Sequence, residues 1–191
     1  MTRRDRFEAL FAGNPDPWDF RTAPSEQAKF RASRDALASR RYARGIEVGC
    51  ANGELTSFLA PLCARLDALD VADSALALAR DRVPSAHVRF RRAEVPGDWP
   101  DGAADLIVLS EVLYFLSAGE IARLADRVAQ TLDPGGDVLV VSFTGPTEEP
   151  LGGVESAELF LAALAERAEV APLRRDAGPT WRLWLVRRAG P

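Results

Sequence analysis

The chain has 191 residues, enough at about 150 residues per domain for one domain with a real core. Its composition, 47% hydrophobic and 27% charged, is that of an ordinary globular protein and excludes a mostly disordered chain, a collagen-like repeat and a disulfide scaffold. Twenty-four basic residues against 28 acidic ones leave a net charge of −4, which argues against a protein built to wrap nucleic acid.

In chain order, residues 4–12 and 24–39 read as helices joined by the turn-rich segment Gly13-Asn14-Pro15-Asp16-Pro17-Trp18-Asp19-Phe20. Residues 45–48 form a short apolar run that stops at Gly49. Residues 54–63 follow as a helix, with Leu55, Phe58, Leu59 and Leu62 on one face and a kink or early end at Pro61. Residues 66–71 read as a strand, 74–82 as a helix with Asp73 or Ser74 as its cap, and 87–91 as a strand. The run Asp105-Leu106-Ile107-Val108-Leu109-Ser110 has the continuous apolarity of a strand covered on both faces. A helix over 118–132 ends at Asp133-Pro134-Gly135-Gly136, and 137–143 is a further buried strand. Beyond a Gly/Pro/Glu-rich loop come a helix over 154–166 and two strands, 170–174 and 181–187, around the turn Asp176-Ala177-Gly178-Pro179. Repeated strand–helix units imply a parallel sheet with right-handed crossovers and helices on both faces. Ligands then sit beyond the carboxyl ends of the strands.

No segment approaches the roughly 20 apolar residues of a membrane span, and no apolar signal core follows the charged residues 1–6, so a cytoplasmic protein without membrane contact is expected. Cys50 and Cys63 have no metal-ligand spacing. A helix between them would hold them roughly 20 Å apart, beyond the ~7 Å that a disulfide tolerates, so two free thiols and no metal site are expected. The single histidine, His87, precedes a strand and reads as a surface residue.

Four features carry chemistry. Glu47-Val48-Gly49-Cys50-Ala51-Asn52-Gly53 takes a strand through a glycine-bracketed loop into a helix, where backbone can approach a ligand and N–H donors are free. An ordinary strand-to-helix turn carries the same glycine pair, and Ala51 stands where the dinucleotide fingerprint needs glycine. Asp70 ends the second strand about 20 residues on, the place for an acid that accepts from ribose hydroxyls. Glu94-Val95 follows the third strand, either at an adenine edge or in a solvated loop. Ser110-Glu111-Val112-Leu113-Tyr114 brings an acid and a phenol to the end of the fourth strand; an exposed turn ahead of core residues is the alternative.

In order and spacing these features resemble a class I S-adenosylmethionine (SAM) dependent methyltransferase. Glu47–Gly53 is similar to the family's E-x-G-x-x-x-G motif, Asp70 to its second-strand acid, and Leu132-Asp133-Pro134-Gly135-Gly136 to the motif before its fifth strand. With Asp16-Pro17-Trp18, Glu26, Lys29 and Leu59-Ala60-Pro61, the chain more closely resembles the NodS-like N-methyltransferases. The resemblance implies a Rossmann-like, seven-stranded, mostly parallel sheet with a terminal antiparallel strand. It implies one domain over 1–191: an N-terminal helical lid (1–40), a SAM-binding core (41–143) and a C-terminal loop, helix and hairpin (144–187). It assigns Glu47, Gly49, Cys50, Ala51 and Gly53 to the methionine and ribose parts of SAM, Asp70 to the ribose hydroxyls, and Val71, Glu94 and Val95 to the adenine. Ser110 and Glu111 fall nearest the methionine portion, Trp18 closes the site, and Lys29 pairs with the SAM carboxylate or lies on a solvated helix face.

The cofactor implied is SAM, with S-adenosylhomocysteine (SAH) as its product. The acceptor implied is the amine of a deacetylated amino sugar or oligosaccharide, with a deacetylase as functional associate. Glu111 and Tyr114 are the candidate catalytic groups, taking or relaying the amine proton. Glu148 and Glu149 lie either over the site or in a solvated loop. Where relatives carry His-Trp at the end of the fifth strand this chain has Ser142-Phe143, so a catalytic role for that histidine does not transfer. An O-methyltransferase on the same fold, a non-catalytic SAM-binding protein and a nicotinamide-dependent reductase are the other readings, the last opposed by the missing fingerprint and the terminal hairpin.

Overall fold

The computed structural model describes residues 1–190; Pro191, the last residue of the expected domain, lies outside the described residues. Seven strands form one mixed sheet, and the chain divides into two compact units, Met1–Glu94 and Val95–Pro191.

The first unit holds α1 (Arg3–Gly13), α2 (Pro24–Leu37), β1 (Gly45–Val48), α3 (Glu54–Leu59), β2 (Leu66–Asp70), α4 (Asp73–Arg82) and β3 (Val88–Arg92). Its strands run parallel in the order β3-β2-β1, and every residue of β1 and β2 is buried. Two covered faces explain why β1 and β2 show no polar alternation. The helix expected over 54–63 is α3 plus a 3-10 turn, Ala60–Leu62, because Pro61 has no N–H to continue an α-helical ladder. The cap expected from Asp73 or Ser74 is not made. Asp70 Oδ1 takes the Ala72 N–H at 3.0 Å, and Glu8, reaching from α1, takes the Ser74 N–H at 3.2 Å. Asp73 turns outward to Arg4 at 3.2 Å.

The second unit holds β4 (Ala104–Ser110), a 3-10 turn (Leu113–Phe115), α5 (Ala118–Thr131), β5 (Leu132–Phe143), α6 (Gly153–Ala165), β6 (Val170–Ala177) and β7 (Trp181–Arg188). Its strand order is β4-β5-β7-β6, with β4 and β5 parallel and β7 antiparallel to both β5 and β6. The terminal antiparallel strand expected from sequence is therefore present. Helix α5 opens with a reciprocal cap between Ser117 and Glu120 and buries Ile121, Leu124, Ala125 and Val128, a stripe at helical spacing. Strand β5 begins five residues earlier than the sequence implies. Leu132 already pairs with Ala104, and residues 133–136 bulge out before pairing resumes at Asp137 opposite Leu106. Register between β5 and β7 is pinned by buried Asp137, whose two oxygens accept from Arg187 at 2.7 and 3.0 Å.

Candidate active site

In the first unit the loop after β1 departs from ordinary backbone at three positions: Gly49 (φ 75°), Ala51 (φ 49°) and Gly53 (φ 80°). Left-handed backbone costs an L-residue roughly 1–2 kcal/mol, so Ala51 is held there by its surroundings. The holder is Asp70, whose Oδ2 accepts the Ala51 N–H at 2.8 Å while Oδ1 takes that of Ala72. Asp70 is buried, and burial raises its pKa against the lowering effect of these N–H donors. The Val71 N–H is a third donor to it, and a carboxylate has about four acceptor positions, so about one remains for a ligand. Gly53 serves packing: a Cβ there would lie 2.9 Å from Ala79 Cα in α4, so its missing side chain makes room for a helix.

Glu47 lies under this loop with 1% exposure. Its Oε2 accepts from Thr56 Oγ1 at 2.7 Å, and its Oε1 has no hydrogen-bond partner. Burial, with the nearby Asp70 charge, pushes its pKa from 4.5 up to about 8, against the Thr56 hydrogen bond. Burial likewise drives the Cys50 thiol well above its ordinary value, with Asp70 and Glu47 adding to the effect. The Cys50 sulfur is therefore a neutral thiol that touches the Ala51 carbonyl, and no thiolate nucleophile. Both cysteines are buried and neither is in a disulfide, and among the described residues no group of three His, Cys, Asp or Glu could hold a metal.

The other residues expected at the cofactor are placed as follows. Trp18, 40% exposed, stacks on Phe20 at 5.3 Å and meets the ring edge-on of Phe11 at 5.6 Å. Lys29 does not lie on a solvated face: it is 3% exposed and pairs with Glu26 at 2.7 Å. Val71 follows β2, half-buried, and Glu94 is exposed with Arg3 at 3.5 Å. His87 is exposed as expected, its ring nitrogens held by Ser85 and the Ala60 carbonyl.

In the second unit Val95 is buried, and Ser110, also buried, ends β4. Glu111 follows with φ 56°, a conformation that costs a non-glycine residue energy and marks a constrained position. Its Oε2 accepts the Tyr114 phenol at 3.0 Å and the Phe143 N–H at 2.8 Å. The Tyr114 phenol and the Glu111 carboxylate are thus joined by a hydrogen bond. Ser142 is buried and its Oγ has no hydrogen-bond partner, while Glu148 on the following loop is exposed.

Sequence reasoning missed the residues that hold the loop: Asp16, Gln27, Asn52, Glu54 and Arg82. Asn52 Nδ2 donates to the Pro15 carbonyl and to Asp16 Oδ1, both at 3.1 Å, and Gln27 Nε2 reaches Glu54 at 2.9 Å. Only the Asp16-Pro17-Trp18 run hinted at this.

Residues 8–180 match the family described as nodulation protein S (NodS). Nodulation protein S of Rhizobium tropici is 35% identical over 156 residues, which is 79% of this chain and 65% of that protein, so the chain spans just under two thirds of that relative's length. The Sinorhizobium fredii protein of the same name is 34% identical over 79% of this chain and 71% of its own. Among solved structures, the N-methyltransferase NodS from Bradyrhizobium japonicum WM9 in complex with SAH superimposes with a TM-score of 0.82 at 26% identity over 97% of both chains. Among the described residues no helix is long and apolar enough to cross a membrane.

Proposed function

The chain belongs to the nodulation protein S family of SAM-dependent methyltransferases, and on that premise we propose that it methylates the nitrogen of a small-molecule amine, that of a deacetylated amino sugar or oligosaccharide. The observation that carries this reading is the likeness, over 97% of both chains, to an N-methyltransferase that holds SAH.

The residues present fit the cofactor. The loop 49–53 has left-handed backbone at three positions, Asp70 beside it is a buried carboxyl fed by backbone N–H groups, and Glu47 Oε1 is a buried polar atom without a partner. In this reading Gly49–Gly53, Glu47, Asp70 and Val71 hold SAM, with Glu94, Val95, Ser110 and Lys29 as further contacts and Trp18 as part of the lid. The units Met1–Glu94 and Val95–Pro191 are taken together as one catalytic domain, and a deacetylase acts upstream to expose the amine. When bound, SAM supplies an electrophilic methyl group on a sulfonium.

The protein's own task is to orient the amine, exclude water and accept one proton. Alignment alone contributes roughly 7–11 kcal/mol in well-oriented reactions. An alkyl amine is protonated near neutral pH and has no lone pair to offer until that proton leaves. Glu111 takes the proton directly, or through the Tyr114 phenol that already donates to it. A carboxylate also attracts the cationic amine.

The test is turnover with a methyl-labelled donor against a panel of amines and alcohols, with the product located by mass spectrometry. Glu111→Gln keeps an acceptor for Tyr114 and the Phe143 N–H but loses the charge. It is expected to lower kcat about 10²-fold or more, in the range typical of a positioned base, with SAH affinity little changed and the wild-type rate rising with pH. Transfer to oxygen, or an unchanged rate in the variant, refutes the assignment.

A further inference from the structure

A closed circuit of hydrogen bonds runs through the first unit and has Asn52 at its centre. On one side, the Asn52 amide donates both of its hydrogens, to the Pro15 carbonyl and to Asp16 Oδ1. Asp16 in turn organises the segment around it. Its Oδ1 accepts the Phe20 N–H at 2.9 Å and its Oδ2 the Arg21 N–H at 3.2 Å. The Phe20 carbonyl accepts from Gln27 Nε2 at 2.8 Å, and the same amide group donates to Glu54 Oε1 in the first turn of α3. Glu54 Oε2 accepts from Arg82 at 2.5 Å, and Arg82 Nε returns the circuit to the Asn52 carbonyl at 2.9 Å. Asn52 is 1% exposed, and its Oδ1 has no partner, so the side chain is kept in a buried place for what its NH2 group does.

We infer that Asn52 is a positioning residue whose amide locks the segment 14–21 to the loop 49–53, so that the two order as one. The inference rests on the proposed reading that this loop holds SAM. Its chemistry admits no close substitute. Aspartate at 52 has the same shape but lacks the donor hydrogens and sets a second charge beside Asp16. Alanine leaves the Pro15 carbonyl without its donor. Because the lock joins the segment to the loop, a ligand that orders the loop must also hold the segment, and releasing the segment must weaken the ligand by the same factor.

Arg21 is exposed within the locked segment, which gives a direct readout. Trypsin cleavage after Arg21 is followed by mass spectrometry in the wild type, Asn52→Asp and Asn52→Ala, with and without SAH. Cleavage at exposed Arg175 in β6 serves as the reference for general loosening. Without ligand, both variants are expected to be cut after Arg21 about 10-fold faster than wild type, the factor that roughly 1.4 kcal/mol gives, with Arg175 unchanged. SAH is expected to slow the Arg21 cut in the wild type and to protect it much less in the variants, because the loop that the ligand orders no longer holds the segment. Gln27→Ala opens the circuit from α2 without altering the loop and is expected to speed the Arg21 cut selectively as well. Equal Arg21 cleavage in wild type and all three variants overturns the inference, as does a rise matched at Arg175. Failure of the wild type to bind SAH refutes the cofactor reading instead, while the ligand-free cleavage ratios still decide the role of Asn52.

Discussion

Replacing Glu47 by glutamine is expected to stabilise the unliganded protein, and to do so far more at pH 8 than at pH 5. The carboxyl is buried with one oxygen on Thr56 and the other unpartnered, and its pKa is raised from 4.5 to about 8. A group whose folded pKa is raised binds its proton more tightly in the native state. Its contribution is therefore fully present below the unfolded value and is lost as pH climbs toward the folded one. At about 1.4 kcal/mol per pH unit, the window from pH 5 to 8 costs the wild type on the order of 4 kcal/mol. Glutamine reproduces the protonated acid, with a carbonyl for Thr56 and a neutral group opposite, and has no such loss. The advantage should thus grow by about 4 kcal/mol across the window, or on the order of 10 °C in Tm for a chain of this size. Titrations common to both proteins cancel in the difference. Thermal unfolding of both proteins at pH 5, 6, 7 and 8 provides the measurement. A Tm difference that stays flat over this range means that Glu47 is ionised and compensated throughout, and the account of the buried acid is wrong.

Two further outcomes follow from the loop. Asp70→Ala removes the acceptor for the Ala51 and Ala72 N–H groups, each worth about 1–3 kcal/mol when buried and unmet, and should weaken SAH at least tenfold by calorimetry. Unchanged affinity in a folded variant would remove Asp70 from the site. Gly53→Ala combines a left-handed φ with a Cβ 2.9 Å from Ala79 Cα, so a loss of roughly 3 kcal/mol in denaturant unfolding is expected; a loss below about 1 kcal/mol would show that α4 yields there.

The central strands were legible because they are apolar runs buried on both faces, as at Asp105–Ser110, and such runs need no knowledge of their neighbours. That Tyr114 and Glu111 lie together was legible for a related reason: only two residues separate them, and a single turn brings them together. What escaped was decided at a distance. The α4 cap comes from Glu8, 66 residues before Ser74, and no local spacing reveals it. Lys29 reads as a cofactor partner or a solvated residue alike, and nothing local shows that it is buried against Glu26 and beside the Phe30 ring. Asn52 sits between glycines where a turn residue is unremarkable, and its partners at 15 and 16 lie more than 35 residues upstream. The early start of β5 was hidden because Asp133-Pro134-Gly135-Gly136 signals a stop, whereas the strand merely bulges and resumes.

The place of β7 between β5 and β6 bears on how the second unit is made. Both neighbours precede it in the chain, so as the polypeptide leaves the ribosome they must wait for a strand not yet synthesised. From Phe143 to Arg188 the interval is roughly 2–9 s at ~5–20 residues per second. During that time β5 carries an unpaired apolar edge, Val138 to Val141, of the kind that recruits other nascent chains. A chain interrupted anywhere between 144 and 180 leaves the same edge open.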